Sequence, residues 1–509
     1  MIISLSVLVI TIIVSGTYAL YKAQLSKNIG VNTTTHGLAY YINYVKGTDI
    51  TAATLNPSTS YEGGASSDIE FWKKDDSYDI YGKIELTVNT IGTNLSNSPA
   101  LKYAVVNNGN VLKEGSLKGT TSGSKVTILK NLYLEQTKQI YTVYVWLDNS
   151  EELGNISNES LSISVDCTAS LQKEPAADTI ISLYTSAAKV TATNNSITYN
   201  TAPSVSLMND RLGGTTTDLD GGNIRYYGAS PNNYIYFNCS DYSNQTSSTC
   251  ETWRIIGVFN GKLKIIRGSQ IGIYSWDNKN ISTGAEDDRG KNDWTTARLM
   301  KLLNPDDYYI NDNNDKDSEG NYLGYSLYYN SASGMCFTDE GVNYSACDFT
   351  STGIKNDETR NMIAETTYNL GGWNDTGVYP NEIYEYERGT TVYTGRPTTW
   401  TGKIALAYPS DYGYAADLNQ CKQTLANYDN STCTSNNWMK AIITDNGSNH
   451  GWLLTPDSSY SFGAWYSHGN VGEYFTGAAR GAVPVLSLSS KLGIESGDGS
   501  SSNPYKLSA

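Results

Sequence analysis

Alternation dominates the first third of the chain. Ile84, Leu86 and Val88 are separated by Lys83, Glu85 and Thr87, the period-two pattern of a strand with one buried face. Asn108-Gly109 stands between the apolar run YAVV and VLKEG, a two-residue hairpin signal. KVTILKNLYL, QIYTVYVWLD and LSISVDC follow at similar spacing. About six short strands with turns between them predict an all-β sandwich over residues 21–170. The pattern then changes. QKEPAADTIISLYTSAAKV predicts one helix after Pro175, and the stretches TATNNSITYNTAPS and GGTTTDLDGG are polar and turn-rich. Residues 171–221 therefore read as a linker.

From residue 222 two periods mix. NYIYFNC predicts a strand. ETWRIIGVFNGKLKIIRG predicts a hairpin around Asn260-Gly261, with Trp253, Ile255 and Phe259 on one face. DWTTARLMKLLN has helical spacing between an N-cap at Asp293 and Pro305, and NDETRNMIAETTYNLGG predicts a helix stopped at Gly371. HGWLLTP and AVPVLSLSS are short apolar runs. Residues 222–509 are accordingly expected to form an α+β domain, making the whole chain multi-domain.

At the N-terminus, residues 2–20 carry no charge. Their length suits a membrane span, and Thr17-Tyr18-Ala19 suits a signal-peptide cleavage site. Signal peptide and membrane anchor stand as alternatives for residues 1–20, and both place the protein outside the cytoplasm, secreted or held at the cell surface. The cysteines agree. Cys239 and Cys250, Cys336 and Cys347, and Cys421 and Cys433 form three closely spaced pairs, the pattern of local disulfides in an exported chain. Cys167 is left over on the apolar face of LSISVDC and reads as a buried, inert thiol.

Composition narrows the partners. The formal charge is 36 − 51 = −15, which repels phosphate backbones and excludes nucleic acid as a partner. With 40 Tyr against 7 Phe, the apolar surface carries hydroxyls, as suits strands and wet interfaces. Asp315, Asp317, Glu319 and Gly320 match the first half of a calcium loop, but Ser326 stands where the closing bidentate Glu belongs. Calcium is the candidate cofactor there, and a solvated acidic loop is the favoured alternative. In NEIYEYERG, Glu385 and Glu387 share a face if the segment is a strand, and read as a wet surface rather than a catalytic pair. His36, in a Thr-rich stretch, reads as a solvated loop residue. No G-x-S-x-G elbow, P-loop or dinucleotide fingerprint occurs. Trp452 sits between Gly451 and Leu453-Leu454 and reads as core, whereas Trp465, Tyr466 and His468 lie in a Gly-flanked segment, with Tyr474 just beyond. These four are the candidate ligand-binding residues, since aromatic faces stack on sugars and other flat ligands.

Two resemblances follow from these segments. The apolar start, GTYALYKAQLSKN and the strand-rich body resemble camelysin/TasA-type surface and biofilm-fibre proteins. The order WRIIGVFNGKLKII, DWTTARLMKLLN, GWLLTPDSSYSFGAWYSHGNVG, AVPVLSLSS resembles a bacterial surface family of unknown function with a C-type-lectin-like fold, shared with formylglycine-generating enzymes. That resemblance implies a lectin-like head whose ligand loops include SFGAWYSHGNVGEY. Two positions depart from it: Val483 stands where an Arg is usual, and no cysteine follows Cys433, so formylglycine-type oxidation is disfavoured. The leading expectation is a non-catalytic cell-surface adhesin or ligand-binding protein, a lectin-like head on a β-sandwich stalk. Its ligand would be extracellular, a glycan or a host or cell-surface protein, and its membrane contact would run through the N-terminal segment. A surface fibre subunit and a glycan-acting enzyme are the alternatives.

Overall fold

The computed structural model describes residues 23–24, 41–51, 55–156, 159–211, 222–279, 288–313, 315–338, 344–447 and 449–508. The signal or anchor assigned to residues 2–20, and His36, lie outside them. Among the described residues no helix is long and apolar enough to cross a membrane.

The chain divides into two compact units, Met1–Glu174 and Pro175–Ala509. In the first, two antiparallel-rich sheets share one core. One sheet runs Ala23–Gln24, Leu161–Ser170, Tyr81–Ile91, Lys125–Tyr133, with Ile50–Thr51 also on Leu161–Ser170. The other runs Ile42–Val45, Ala65–Lys73, Ile140–Asp148, Leu101–Asn107, Asn110–Ser116, with Pro57–Ser58 parallel to Ile140–Asp148. Ile84, Leu86 and Val88 of the first sheet and Phe71, Val143 and Val145 of the second belong to the same buried cluster, so this unit is a β-sandwich. Asn108 and Gly109 take φ of 48° and 78°, the left-handed pair that a two-residue hairpin needs. Cys167 is buried in the core and unpaired, and burial pushes its thiol well above the ordinary range.

The second unit begins inside the segment read as a linker. Helix Ala176–Ser186 buries Ala176, Ala177, Ile180 and Tyr184, one face at spacings of three and four. Strands Val190–Asn194, Ile197–Ala202 and Leu207–Asn209 then extend a nine-stranded sheet. The polar stretch misled because its alternation is half polar: Ala192, Asn194, Tyr199 and Thr201 point inward, and Asn194 Nδ2 donates to the carbonyls of Leu418 and Cys421. Beyond Leu207–Asn209 the sheet continues through Ile224–Tyr226, Glu251–Phe259, Lys262–Arg267, Val485–Ser487 and Ile404–Ala405. A five-stranded sheet runs Ile273–Ser275, Ala479–Gly481, Gly451–Pro456, Gly463–His468, Asn470–Phe475. Short helices and three two-stranded sheets complete an α+β unit. Its disulfides are Cys239–Cys250, Cys336–Cys347 and Cys421–Cys433, as in chains that fold in an oxidising compartment.

Three local expectations need correction. The 251–267 hairpin carries an irregularity between Ile255 and Gly257. It leaves Trp253, Ile255 and Val258 in one core cluster and turns Ile256 and Phe259 toward another, so Phe259 does not share the face of Trp253. The helix expected from 356 onward spans only Asp357–Met362, and Thr366–Asn369 pairs as a strand instead. Residues Pro380–Glu387 are a helix, not a strand, with Pro380 in the first turn. Helical spacing buries Ile383 and Glu387 together while Glu385 stays exposed. Glu387 is no wet-face carboxylate: Oε1 accepts from Ser410 N, and Oε2 accepts from Ser410 Oγ and Arg388 Nη1.

Candidate functional site

The five-stranded sheet gathers most of the sequence-selected aromatics. Along Gly463–His468 the side chains alternate. Trp465 and Ser467 face one side; Tyr466 and His468 face the other. Trp465 is 0% exposed and sits in a core cluster with Leu453 and Val471, its Nε1 donating to the Trp373 carbonyl at 3.1 Å. The expectation that Trp465 lines a ligand loop is thereby corrected. Its flanking glycines mark the ends of a strand, not a loop. Trp452, on the adjacent strand, is buried as well.

Tyr466, His468 and Tyr474 come together on the opposite face, and Arg480 organises them. Its guanidinium lies 3.9 Å from the Tyr466 ring centre, 4.4 Å from Tyr474 and 5.4 Å from Trp452. Arg480 Nη1 also contacts His450 Nδ1. Because guanidinium only donates, Nδ1 is the acceptor and the imidazole proton belongs on Nε2. His450 stacks on Tyr466 at 5.2 Å with 13° between planes, and its ring centre is 4.0 Å from that of His468. Burial first, then the charge of Arg480, then His468, lower the His450 pKa, so His450 is neutral near pH 7. Gly472 pairs with Tyr466 across the strands, and a Cβ there would meet the Tyr466 ring at 2.9 Å. The missing side chain is what lets the ring lie flat.

Arg480 is 9% exposed, and burial lowers its pKa. Among the described residues it has no carboxylate partner, and its Nε has no hydrogen-bond partner. Among the described residues its negative field comes from the aromatic rings and the His450 Nδ1 lone pair. His468 is exposed and Tyr474 is 41% exposed. The result is a cation held under aromatic faces whose outer surfaces meet solvent, an arrangement able to stack on a flat or CH-rich ligand face while offering an N–H.

The acidic loop does something else. Asp315 is fully buried, with Oδ1 on Arg298 Nε and Nη2 at 2.9 and 2.7 Å and Oδ2 on Lys301 Nζ at 3.1 Å and Tyr325 OH at 2.8 Å. Burial alone would raise its pKa; Arg298, Lys279 and Lys301 overcome it and hold the carboxyl low. Asp317 folds back on its own turn, accepting from the backbone N–H of Glu319 and Asn321, both at 2.9 Å. Glu319 is exposed. The three expected calcium ligands are not brought to one point, because Asp315 is drawn inward by two cations. Among the described residues no group of three or more His, Cys, Asp or Glu side chains is placed to hold a metal.

Sequence reasoning missed His450 and Arg480 as partners of the aromatics. Arg480 lies in GAARGAVP, and only its pairing beside the aromatic strands reveals it. Comparison with protein-family models finds no match for this chain, and comparison with curated proteins finds none either. Among solved structures, the crystal structure of an HCR/D mutant aligns over 50% of this chain and 76% of its own, at 12% identity and a TM-score of 0.16.

Proposed function

We propose that the protein is a non-catalytic extracellular ligand-binding protein, an adhesin, whose second unit serves as a lectin-like head. The observation that carries this reading is the Arg480 platform. Burying a cation without a carboxylate is costly, and this one is held beneath Tyr466 and Tyr474, with His468 beside its partner His450, at the surface, where a ligand can complete its surroundings. Three disulfides support work in an oxidising compartment. The ligand expected is a glycan or a cell-surface protein with an exposed sugar or apolar face. A glycan array and a pull-down from cell-surface extracts, both with the full chain, test it. Tyr474→Ala combined with His468→Ala should weaken binding by about tenfold or more. Both residues are exposed and Tyr474 gives up one ring contact with Arg480, so unfolding should move by no more than roughly 2 kcal/mol. Unchanged binding in that variant, or no ligand retained by the parent chain, would overturn the reading.

A further inference from the structure

A second buried arginine sits in a cavity away from the Arg480 face. Arg254, on strand Glu251–Phe259, is 8% exposed. Its guanidinium lies 3.7 Å from the Tyr234 ring centre and 4.9 Å from that of Trp438. Its Nε donates to Asn233 Oδ1 and its Nη2 to the Pro231 carbonyl at 3.3 Å. Both acceptors are neutral. Among the described residues no carboxylate faces it and Nη1 has no partner. Burial lowers its pKa to about 10, with only Tyr234 opposing. Arg480 apart, the other buried arginines of this unit are matched: Arg225 by Asp210 and Asp411, Arg298 by Asp315.

Arg254 lines a cavity of 470 Å³, together with Tyr234, Glu251, Arg267, Trp438 and Ala441. That volume lies within the range of small-molecule sites. The one carboxylate on the wall, Glu251, is already satisfied. Arg267 grips it with two bonds, Nε–Oε2 at 3.0 Å and Nη2–Oε1 at 3.2 Å, and Trp253 Nε1 donates to Oε2 at 3.1 Å. Two guanidinium groups against one carboxylate leave the cavity with one uncompensated positive charge, and that charge is Arg254.

We infer that this cavity binds a small carboxylate, of the class of an acidic monosaccharide, whose anionic group docks on Arg254 between Tyr234 and Trp438. A planar guanidinium with a free N–H edge matches a carboxylate better than any neutral group. The aromatic walls and the cavity volume suit a single sugar ring behind it.

The test is calorimetric titration of the full chain with sodium glucuronate at constant ionic strength, with glucose as the neutral control. Saturable binding of glucuronate and none of glucose is expected. Arg254→Gln should weaken glucuronate binding about tenfold or more, the usual consequence of losing a charge-assisted contact. Ala441→Trp provides a second variant, since Ala441 is exposed at the cavity rim; it fills the mouth without touching Arg254 and should weaken binding as much. If Arg254→Gln does not fold, Ala441→Trp decides. Absence of saturable glucuronate binding by the parent chain overturns the inference. So does equal binding of glucose, or glucuronate affinity that survives either folded variant.

Discussion

The two units treat positive charge in opposite ways. Every arginine of the chain lies in the second; the first carries only lysines. Those of the sandwich that form pairs do so mostly near the surface, as Lys46 with Asp166, Lys83 with Glu85 and Lys102 with Asp148 do. The second unit buries its cations. Arg225 and Lys264 share Asp411 in the interior, Arg298 and Lys301 share Asp315, and Arg254 and Arg480 lie against aromatic rings with no acid among the described residues. Ammonium is compact and strongly hydrated, so where it is buried, as at Lys264 and Lys301, a carboxylate meets it. Guanidinium is weakly hydrated and stacks on rings, so it tolerates burial. Among the described residues the sandwich, with its alternating faces, keeps its charges off the core but for Lys73, 2% exposed and paired with Asp76 at 2.8 Å. An irregular α+β unit uses charge to tie distant segments together, and it is where the acid is missing that the two proposed ligand sites lie.

The largest effect should come from the shared acid. Asp411 Oδ1 meets Arg225 Nη1 at 3.0 Å, and Oδ2 meets both Lys264 Nζ and the Tyr408 N–H. Burial would raise its pKa, but Lys264 and Arg225 hold it down. Asp411→Ala strands Lys264 in the interior and should cost about 3–5 kcal/mol. Urea unfolding followed by tryptophan fluorescence measures it, since most tryptophans lie in this unit. A loss below roughly 1 kcal/mol would erase the contrast between the two units.

Trp465→Phe should cost less, about 2 kcal/mol, from lost volume and an unsatisfied Trp373 carbonyl. The substitution keeps an aromatic face, so a ligand-lining residue would tolerate it and a core residue would not. Thermal unfolding beside binding separates the two roles. Unchanged stability with binding retained would take Trp465 out of the core and return it to the site.

The same contrast explains what was legible. In the sandwich each strand obeys one period, and Ile84, Leu86, Val88 and the Asn108-Gly109 turn could be placed from a few neighbours. In the second unit one bulge after Ile255 moves Phe259 to another face, and Pro380 makes a helix of a segment whose charges alternate like a strand's. The candidate aromatics were visible because they cluster within ten residues of sequence. Their direction was not, since a one-residue choice of face separates Trp465 from Tyr466. Arg254 with Trp438, and Arg480 with Tyr466, meet only through tertiary pairing, and no local signal announces them.

The dependence on pH should also differ between units. Glu473 is held up at about 8, first by burial, then by its hydrogen bond to Asp457 and the charges of Asp457 and Asp375. Its folded pKa is raised above the unfolded value of 4.5. This contribution is therefore complete below about 4.5 and is lost as pH rises through about 8. In the sandwich Asp148 is lowered to about 2, first by Lys102 and then by Ser150. Its contribution is present above the unfolded value of 3.8 and flat from pH 5 to 9. The melting temperature of the second unit should fall across that range, and Glu473→Gln should flatten the slope. Parallel slopes for parent and variant would remove Glu473 from the account.

The smallest effect is expected where the sandwich pairs its charges. Lys46 Nζ and Asp166 Oδ1 are 3.1 Å apart, with side chains 24% and 28% exposed. Asp166 Oδ2 also accepts from Thr87 Oγ1 at 3.1 Å. Water reaches both partners, so the Coulomb attraction is weakened and most of what remains offsets the entropy of fixing two flexible side chains. Asp166→Asn keeps the shape and an acceptor for Thr87 while removing the charge. The cost should be about 0–1 kcal/mol, and salt should shrink it, because an exposed pair more than a few ångströms from other charges is screened at high ionic strength. Urea unfolding of the parent and variant at low and high salt measures both. A salt-insensitive loss near that of Asp411→Ala would mean the sandwich depends on charge as the second unit does, and the division between a unit that pairs lysines near its surface and one that buries arginines would fail.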